Sequence, residues 1–101
     1  MNKHIQKLIF SIALFLLSNS IFAQHTVKGV ITDKADGLSI PGTTVILKGT
    51  TNGTITDFEG NYSITVTKPT DTLAFSCIGY ETIEIPINGR ATIDVVMMVE
   101  H

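Results

Sequence analysis

Between Gly49 and Ile64 the chain reads GTTNGTITDFEGNYSI, and between Phe75 and Tyr80 it reads FSCIGY. Both stretches set short runs of β-branched residues between residues that force turns, and this excludes a helical fold. The pattern extends over most of the chain. Val, Ile and Thr supply 31 of the 78 residues from Gln24 to His101, and all eight glycines lie in the same part. Such side chains are stiff at χ1 and fit a pleated surface. No segment carries a 3.6-residue apolar period. Short strands with regular turn signals predict a small sandwich or barrel.

The alternation of apolar residues predicts the strands one by one. Val27, Gly29 and Ile31 share one face of a first strand, and DKADGLSIPG turns the chain at Asp36-Gly37 and Pro41-Gly42. Thr44–Lys48 forms a second strand. Asn52-Gly53 is expected as a tight hairpin turn into a third strand, Thr54–Thr56, because both positions tolerate positive φ. Asp57 to Gly60 makes the next turn, with the Asp57 carboxylate accepting from nearby backbone N–H groups and Gly60 left-handed. Asn61–Thr67 is the fourth strand, with Tyr62, Ile64 and Val66 on one side. Thr72–Cys77 is the fifth, with Leu73 and Phe75 inward, ended by Gly79-Tyr80. Glu81–Ile85 is the sixth. Asn88-Gly89 turns into a last strand, Ala91–Val99, with Ile93, Val95, Met97 and Val99 in register. Seven strands in so few residues make a small β-sandwich, with a closed barrel as the alternative.

Residues 1–23 stand outside this pattern. Lys3 and Lys7 precede a ten-residue apolar run, Leu8–Leu17, and Ser18–Ala23 leads to a cut between Ala23 and Gln24. That is the layout of a secretory signal peptide. The run falls short of the roughly 20 apolar residues that a spanning helix needs, and no cysteine follows it to take a lipid anchor. Export is therefore expected, with residues 24–101 as one domain. Without Lys3 and Lys7, five basic residues face nine acidic ones, a net charge of −4. A mildly acidic chain with no basic stripe argues against a nucleic-acid partner. Cys77 is the only cysteine, so no internal disulfide forms and stability rests on strand pairing and packing. Its neighbours Phe75, Ser76 and Ile78 suit a buried, unreactive thiol.

The chain offers little chemistry. Nucleophilic catalysis needs a base held by a third group, yet after residue 23 the histidines are His25 and His101 at the two ends. Asp57 and Glu59 are close in sequence, but Asp57 has a turn to make. DFEGN lacks the ligand pattern of a calcium loop, and zinc lacks ligands. No phosphate-binding glycine motif occurs, since GTTNGT has neither the lysine nor a following helix. The threonines of GTTNGTITD suit exposed strand positions better than a sugar site, because clustered aromatics are missing. Tyr80 is expected to cap one end of the sandwich with its hydroxyl on a backbone group. No cofactor and no metal are expected.

The order VKGVITD, IPGTTVILKGT, NGTITDFEGNYSI and LAFSCIGYETIEI resembles the carboxypeptidase-regulatory-like domain. It is most similar to the version at the N-terminus of SusC/RagA-type TonB-dependent outer-membrane receptors of Bacteroidetes. The resemblance spans Val27 to Val99. It is carried by Gly29, Asp33, Gly37, Pro41-Gly42, Lys48-Gly49-Thr50, Gly53-Thr54, Thr56-Asp57, Gly60, Tyr62-Ser63, Phe75-Ser76 and Ile78-Gly79-Tyr80. Ile40 departs from a usual leucine, and Cys77 from a common tyrosine. The resemblance implies an all-β, seven-stranded Greek-key β-sandwich of the transthyretin (prealbumin) type. It also implies a non-catalytic periplasmic module at the outer membrane, ahead of a plug and barrel that import glycans or peptides. The partner is then an envelope protein or the rest of a receptor, met through exposed strand edges and through the turn loops, which are expected to offer a polar surface. A free-standing module that binds carbohydrate or cell envelope is the alternative. An enzyme of transthyretin-like fold would need histidines and an arginine inside the sandwich, where this chain has only Arg90 and terminal histidines.

Overall fold

A computed structural model describes residues 24–100. The expected signal peptide, residues 1–23, and His101 lie outside the described residues. Seven strands follow in order: β1 His25–Asp33, β2 Thr44–Leu47, β3 Gly53–Ile55, β4 Asn61–Val66, β5 Thr72–Ser76, β6 Ile83–Pro86 and β7 Val95–Met97. They form a three-stranded sheet, β4-β1-β7, and a four-stranded sheet, β3-β2-β5-β6. The chain crosses repeatedly between the two layers, and the architecture is the sandwich expected from the strand count.

Alternation explains which side chains fill the gap between the sheets. In β4, Tyr62, Ile64 and Val66 are buried while Asn61, Ser63 and Thr65 are exposed. Val27 and Ile31 from β1, Val45 and Leu47 from β2, and Leu73 and Phe75 from β5 complete the layer with Val95 and Met97 from β7. The Tyr62 and Phe75 rings meet edge to face across it, their centroids 5.5 Å apart at 72°. The Tyr62 hydroxyl donates to the Ile93 carbonyl at 2.6 Å, so its polar atom is satisfied inside the core. Burial pushes its pKa up to about 12, with the Asp94 charge adding and Arg90 opposing.

Several details depart from the expected strands. The β2–β3 hairpin does not turn at Asn52-Gly53. Leu47 N donates to Asn52 O, and Ile46 pairs with Gly53 inside the ladder. The turn lies earlier, at Lys48-Gly49, where Thr50 N donates to Leu47 O and Gly49 takes φ 82°. By contrast, Asn88 and Gly89 do adopt positive φ, 51° and 72°, between Ile87 O and Arg90 N. The last strand is also shorter than expected. Only Val95–Met97 is regular, and it pairs parallel to β1, with Ile31 opposite Val95 and Asp33 opposite Met97. Beyond Met97 the chain leaves β1 and pairs with the segment after β5. Glu81 N donates to Met98 O, and Glu100 N donates to Gly79 O, both at 2.9 Å. Val99 therefore stays 46% exposed and does not join the core.

Two threonines are buried, and one of them, Thr56, belongs to the GTTNGTITD stretch whose threonines were expected in exposed strand positions. Thr43 is fully buried and Thr56 nearly so. Thr56 Oγ1 accepts from Thr43 N and donates to Ile40 O, each at 2.8 Å. Cys77 is free and half-buried, packed against the core. His25 opens β1, with Nε2 2.7 Å from the Arg90 carbonyl, so it is an ordered strand residue and not a loose tail.

Candidate functional site

Strand direction sorts the loops into two groups. Thr44, the first residue of β2, stands opposite both Ile55 at the end of β3 and Ser76 at the end of β5. Asp33 and Met97, the last residues of β1 and β7, are neighbours. The β1–β2, β3–β4 and β5–β6 loops and the segment after β7 therefore share one end of the sandwich. The β2–β3, β4–β5 and β6–β7 loops share the other.

Most turn residues of the sequence signature gather at the first end: Asp33, Pro41, Gly42, Asp57, Gly60, Gly79 and Tyr80. Their contacts are structural. Asp57 Oδ1 accepts from Glu59 N at 3.0 Å and from Asn61 N at 2.9 Å, while Gly60 N donates to Asp57 O. Gly60, at φ 76°, lies so close to β1 that a Cβ would sit 2.7 Å from Ile31 O, which reserves the position for glycine. The remaining signature residues lie elsewhere. Gly29, Tyr62 and Phe75 belong to strands of the two sheets, Gly49 makes the turn at the opposite end, and Gly53 and Thr54 are in β3.

Among the described residues, Asp33 and Tyr80 form the one side-chain pair hydrogen-bonded between these loops. Asp33 Oδ1 accepts from Ala35 N at 2.7 Å, and Oδ2 accepts from the Tyr80 hydroxyl at 2.6 Å. The tyrosine thus bonds a carboxylate and not the expected backbone group. The Tyr80 hydroxyl, followed by the Ala35 amide, holds the Asp33 carboxyl below its usual range, and desolvation only partly opposes them. The same bond, helped by desolvation and the nearby Asp33 charge, pushes Tyr80 up to about 12. This pair ties the end of β1 to the loop that follows β5. Cys77 is the only thiol near it and is half-buried against the core.

The surface around these loops is apolar and acid-rimmed. Phe58 is 95% exposed and Ile78 fully exposed, and Leu38, Met98 and Val99 are exposed at the same end. Ile55 borders it at the end of β3, and Val96 faces outward from β7. No large apolar side chain is exposed in the loops of the opposite end among the described residues. Two shallow concavities meet at Gly42. One, of about 540 Å³, runs past Pro41 and Phe58, and one of about 440 Å³ runs past Ile78, Tyr80 and Glu100. Asp57 and Glu100 line them, exposed Asp36, Glu59 and Glu81 lie in the loops of the same end, and Lys34 is the only basic residue among the described loops of that end. Lys48, Lys68 and Arg90 are at the other end. A third, open concavity of about 680 Å³ is lined by Lys28, Thr54, Asn61, Ser63, Thr92 and Asp94, among others.

The other groups weighed for chemistry are engaged in structure. Arg90 donates through Nε to Ile87 O and through Nη2 to Pro86 O, both within its own turn. Among the described residues, no cluster of three or more His, Cys, Asp or Glu side chains is placed to hold a metal ion. Sequence reasoning missed the exposed apolar end, because its members come from four separate segments and only the topology brings them together.

The geometry can be set beside known proteins. Residues 27–101 match the family model described as the CarboxypepD_reg-like domain. The chain is 49% identical over 82 residues to a TonB-dependent receptor of Formosa agariphila, which covers 81% of this chain and 8% of the receptor. A second receptor of that organism is 34% identical over 99% of the chain and 10% of its own length. The TonB-dependent receptor SusC of Bacteroides thetaiotaomicron is 41% identical over 85% of the chain and 8% of its own length. The chain therefore spans about a tenth or less of these relatives. Among solved structures, a C-terminal interface mutant of the type II cohesin–X-dockerin complex from Acetivibrio cellulolyticus matches with a TM-score of 0.59 at 25% identity, covering 72% of this chain and 56% of that one. An N-terminal interface mutant of the same complex matches with a TM-score of 0.61 at 23% identity, covering 74% and 58%. Those likenesses support the sandwich fold. By its sequence, from the first core strand to the last, the chain belongs to the CarboxypepD_reg-like domain family and matches the N-terminal region of SusC-type TonB-dependent receptors.

Proposed function

We propose that this chain is a non-catalytic interaction module of a TonB-dependent outer-membrane receptor that takes up glycans or peptides, and that it works on the periplasmic side. The observation that carries the reading is the match of nearly the whole chain to a small share of several such receptors. The expected signal peptide supports export. The side chains support binding over chemistry, because the Asp57 carboxylate is bonded into its turn and the Asp33 carboxylate and Tyr80 hydroxyl are bonded to each other.

The test is affinity purification of the tagged chain from gently solubilised envelopes. Recovery with a barrel receptor polypeptide, covalently continuous or bound, is the expected result. Recovery from the soluble periplasm with no envelope protein would defeat the reading. A second reading, a free-standing carbohydrate-binding module, is favoured only by the open concavity beside Lys28 and Asp94. Calorimetric titration with a broad glycan panel separates the two, and an absence of heat against the whole panel removes the second.

A further inference from the structure

We infer that the end of the sandwich carrying Phe58 and Ile78 is the docking face of this module, and that its occupant is a receptor polypeptide surface combining apolar and basic side chains. The inference rests on the receptor reading above and says which surface serves it. Phe58 and Ile78 are almost wholly exposed, and Leu38 is exposed at the same end. Such residues, gathered at one end and absent from the described loops of the other, mark an interaction site rather than scattered surface apolarity. Nothing internal explains them. The loops that carry them are already fastened by the Asp57 turn and the Asp33–Tyr80 bond.

Charge identifies the occupant. Five exposed carboxylates and one lysine lie in the described loops that carry the apolar residues, so the complementary surface is apolar with basic flanks. An anionic lipid surface would be repelled by that rim. A second copy facing with the same end would bring carboxylates against carboxylates, and the loops of the opposite end, though basic, expose no large apolar side chain among the described residues. Position points the same way. The backbone reaches Glu100 at this end, held by Glu100 N to Gly79 O, so any polypeptide continuing from there emerges beside the face. In the relatives, about nine-tenths of the length lies outside the matched region.

The experiment places a photoreactive phenylalanine analogue at Phe58 or Ile78 in the full chain in its own cells, with Lys68 and Arg90 as controls at the far end. Crosslinked peptides are then identified by mass spectrometry. The expected result is a crosslink from 58 and 78 to a receptor polypeptide, at apolar sites near lysine or arginine, with little from 68 or 90. Crosslinks to a second copy, to lipid, equally from both ends, or not at all from 58 and 78 would overturn the inference. The double variant F58S/I78S, checked to unfold at the wild-type midpoint, is expected to weaken receptor association by about tenfold or more. Unchanged association would overturn it too. If wild-type chain engages the receptor through the far end, only this inference falls; if it engages no receptor polypeptide at all, the receptor reading falls with it.

Discussion

Gly29 shows how tightly single positions constrain this sandwich. A Cβ there would sit 1.9 Å from Ile93 O and 2.9 Å from the Tyr62 ring. The obstacle is mostly backbone, which cannot step aside. Gly29→Ala is therefore expected to cost about 3 kcal/mol or more, the upper range for an overpacked core, measured by chemical denaturation. Tyr80→Phe tests the Asp33 bond through pH. Asp33 titrates below its usual value in the fold, so it adds stability above a pKa of about 3.9 and loses it as pH falls through the folded value. Tyr80 is raised to about 12, so its share is intact below a pKa of about 10 and is lost as pH climbs toward 12. The variant is expected to shrink both limbs of the stability profile, leaving the alkaline share of Tyr62. Profiles superimposable on wild type would show that the bond carries no stability. The roles of Gly29 and Tyr80 were only partly readable, because the sequence marks them as special without naming Ile93 or Asp33 as the neighbour.

At the level of strands and turns, the two Asn-Gly pairs mark where local reading succeeds and stops. Asn88-Gly89 occupies a β-turn with both φ positive, as the dipeptide favours. Asn52-Gly53 does not, because the β2–β3 register is settled by its neighbours. Leu47 must face the core, Gly49 supplies the left-handed residue earlier, and Asn52 Nδ2 donates across to Thr65 O at 3.0 Å. The buried faces of β1, β4 and β5 were legible from alternation. The parallel pairing of β7 with β1 was not, since alternation carries no information about which strand lies alongside. Val99 misled for the same reason: the period continues past Met97, but the pairing partner changes. The edges are guarded more than the sequence suggested, with Pro86 in β6 and a Lys48–Glu84 ion pair at 2.9 Å beside it. Both partners are about half exposed, so Glu84→Gln is expected to change stability by less than about 1 kcal/mol, read as the denaturation midpoint. A larger loss would mean the pair helps to organise the edge.

Across the whole molecule, the two ends differ in character. Core packing and turn chemistry account for the buried residues, and all buried side-chain polar atoms among the described residues have partners. What they leave unexplained is the exposed apolar end and its acidic rim. The turn loops were expected to offer a polar surface beside the strand edges, yet the loops collected at one end expose Leu38, Phe58 and Ile78. Because Phe58 and Ile78 touch so little of the fold, F58S/I78S is expected to shift stability by no more than about 0.5 kcal/mol, as exposed substitutions do. Association with the receptor polypeptide is expected to weaken as salt rises, through screening of the rim; salt-independent binding would argue against a charged contact.

Hydrogen exchange of the chain alone and within its envelope complex tests the central claim most directly. The account expects slowed exchange on complex formation in the 56–60 and 77–82 loops, with the 48–52 and 67–71 loops unchanged. Protection confined to the far loops, or identical exchange in both states, would contradict a module that works by docking its apolar end.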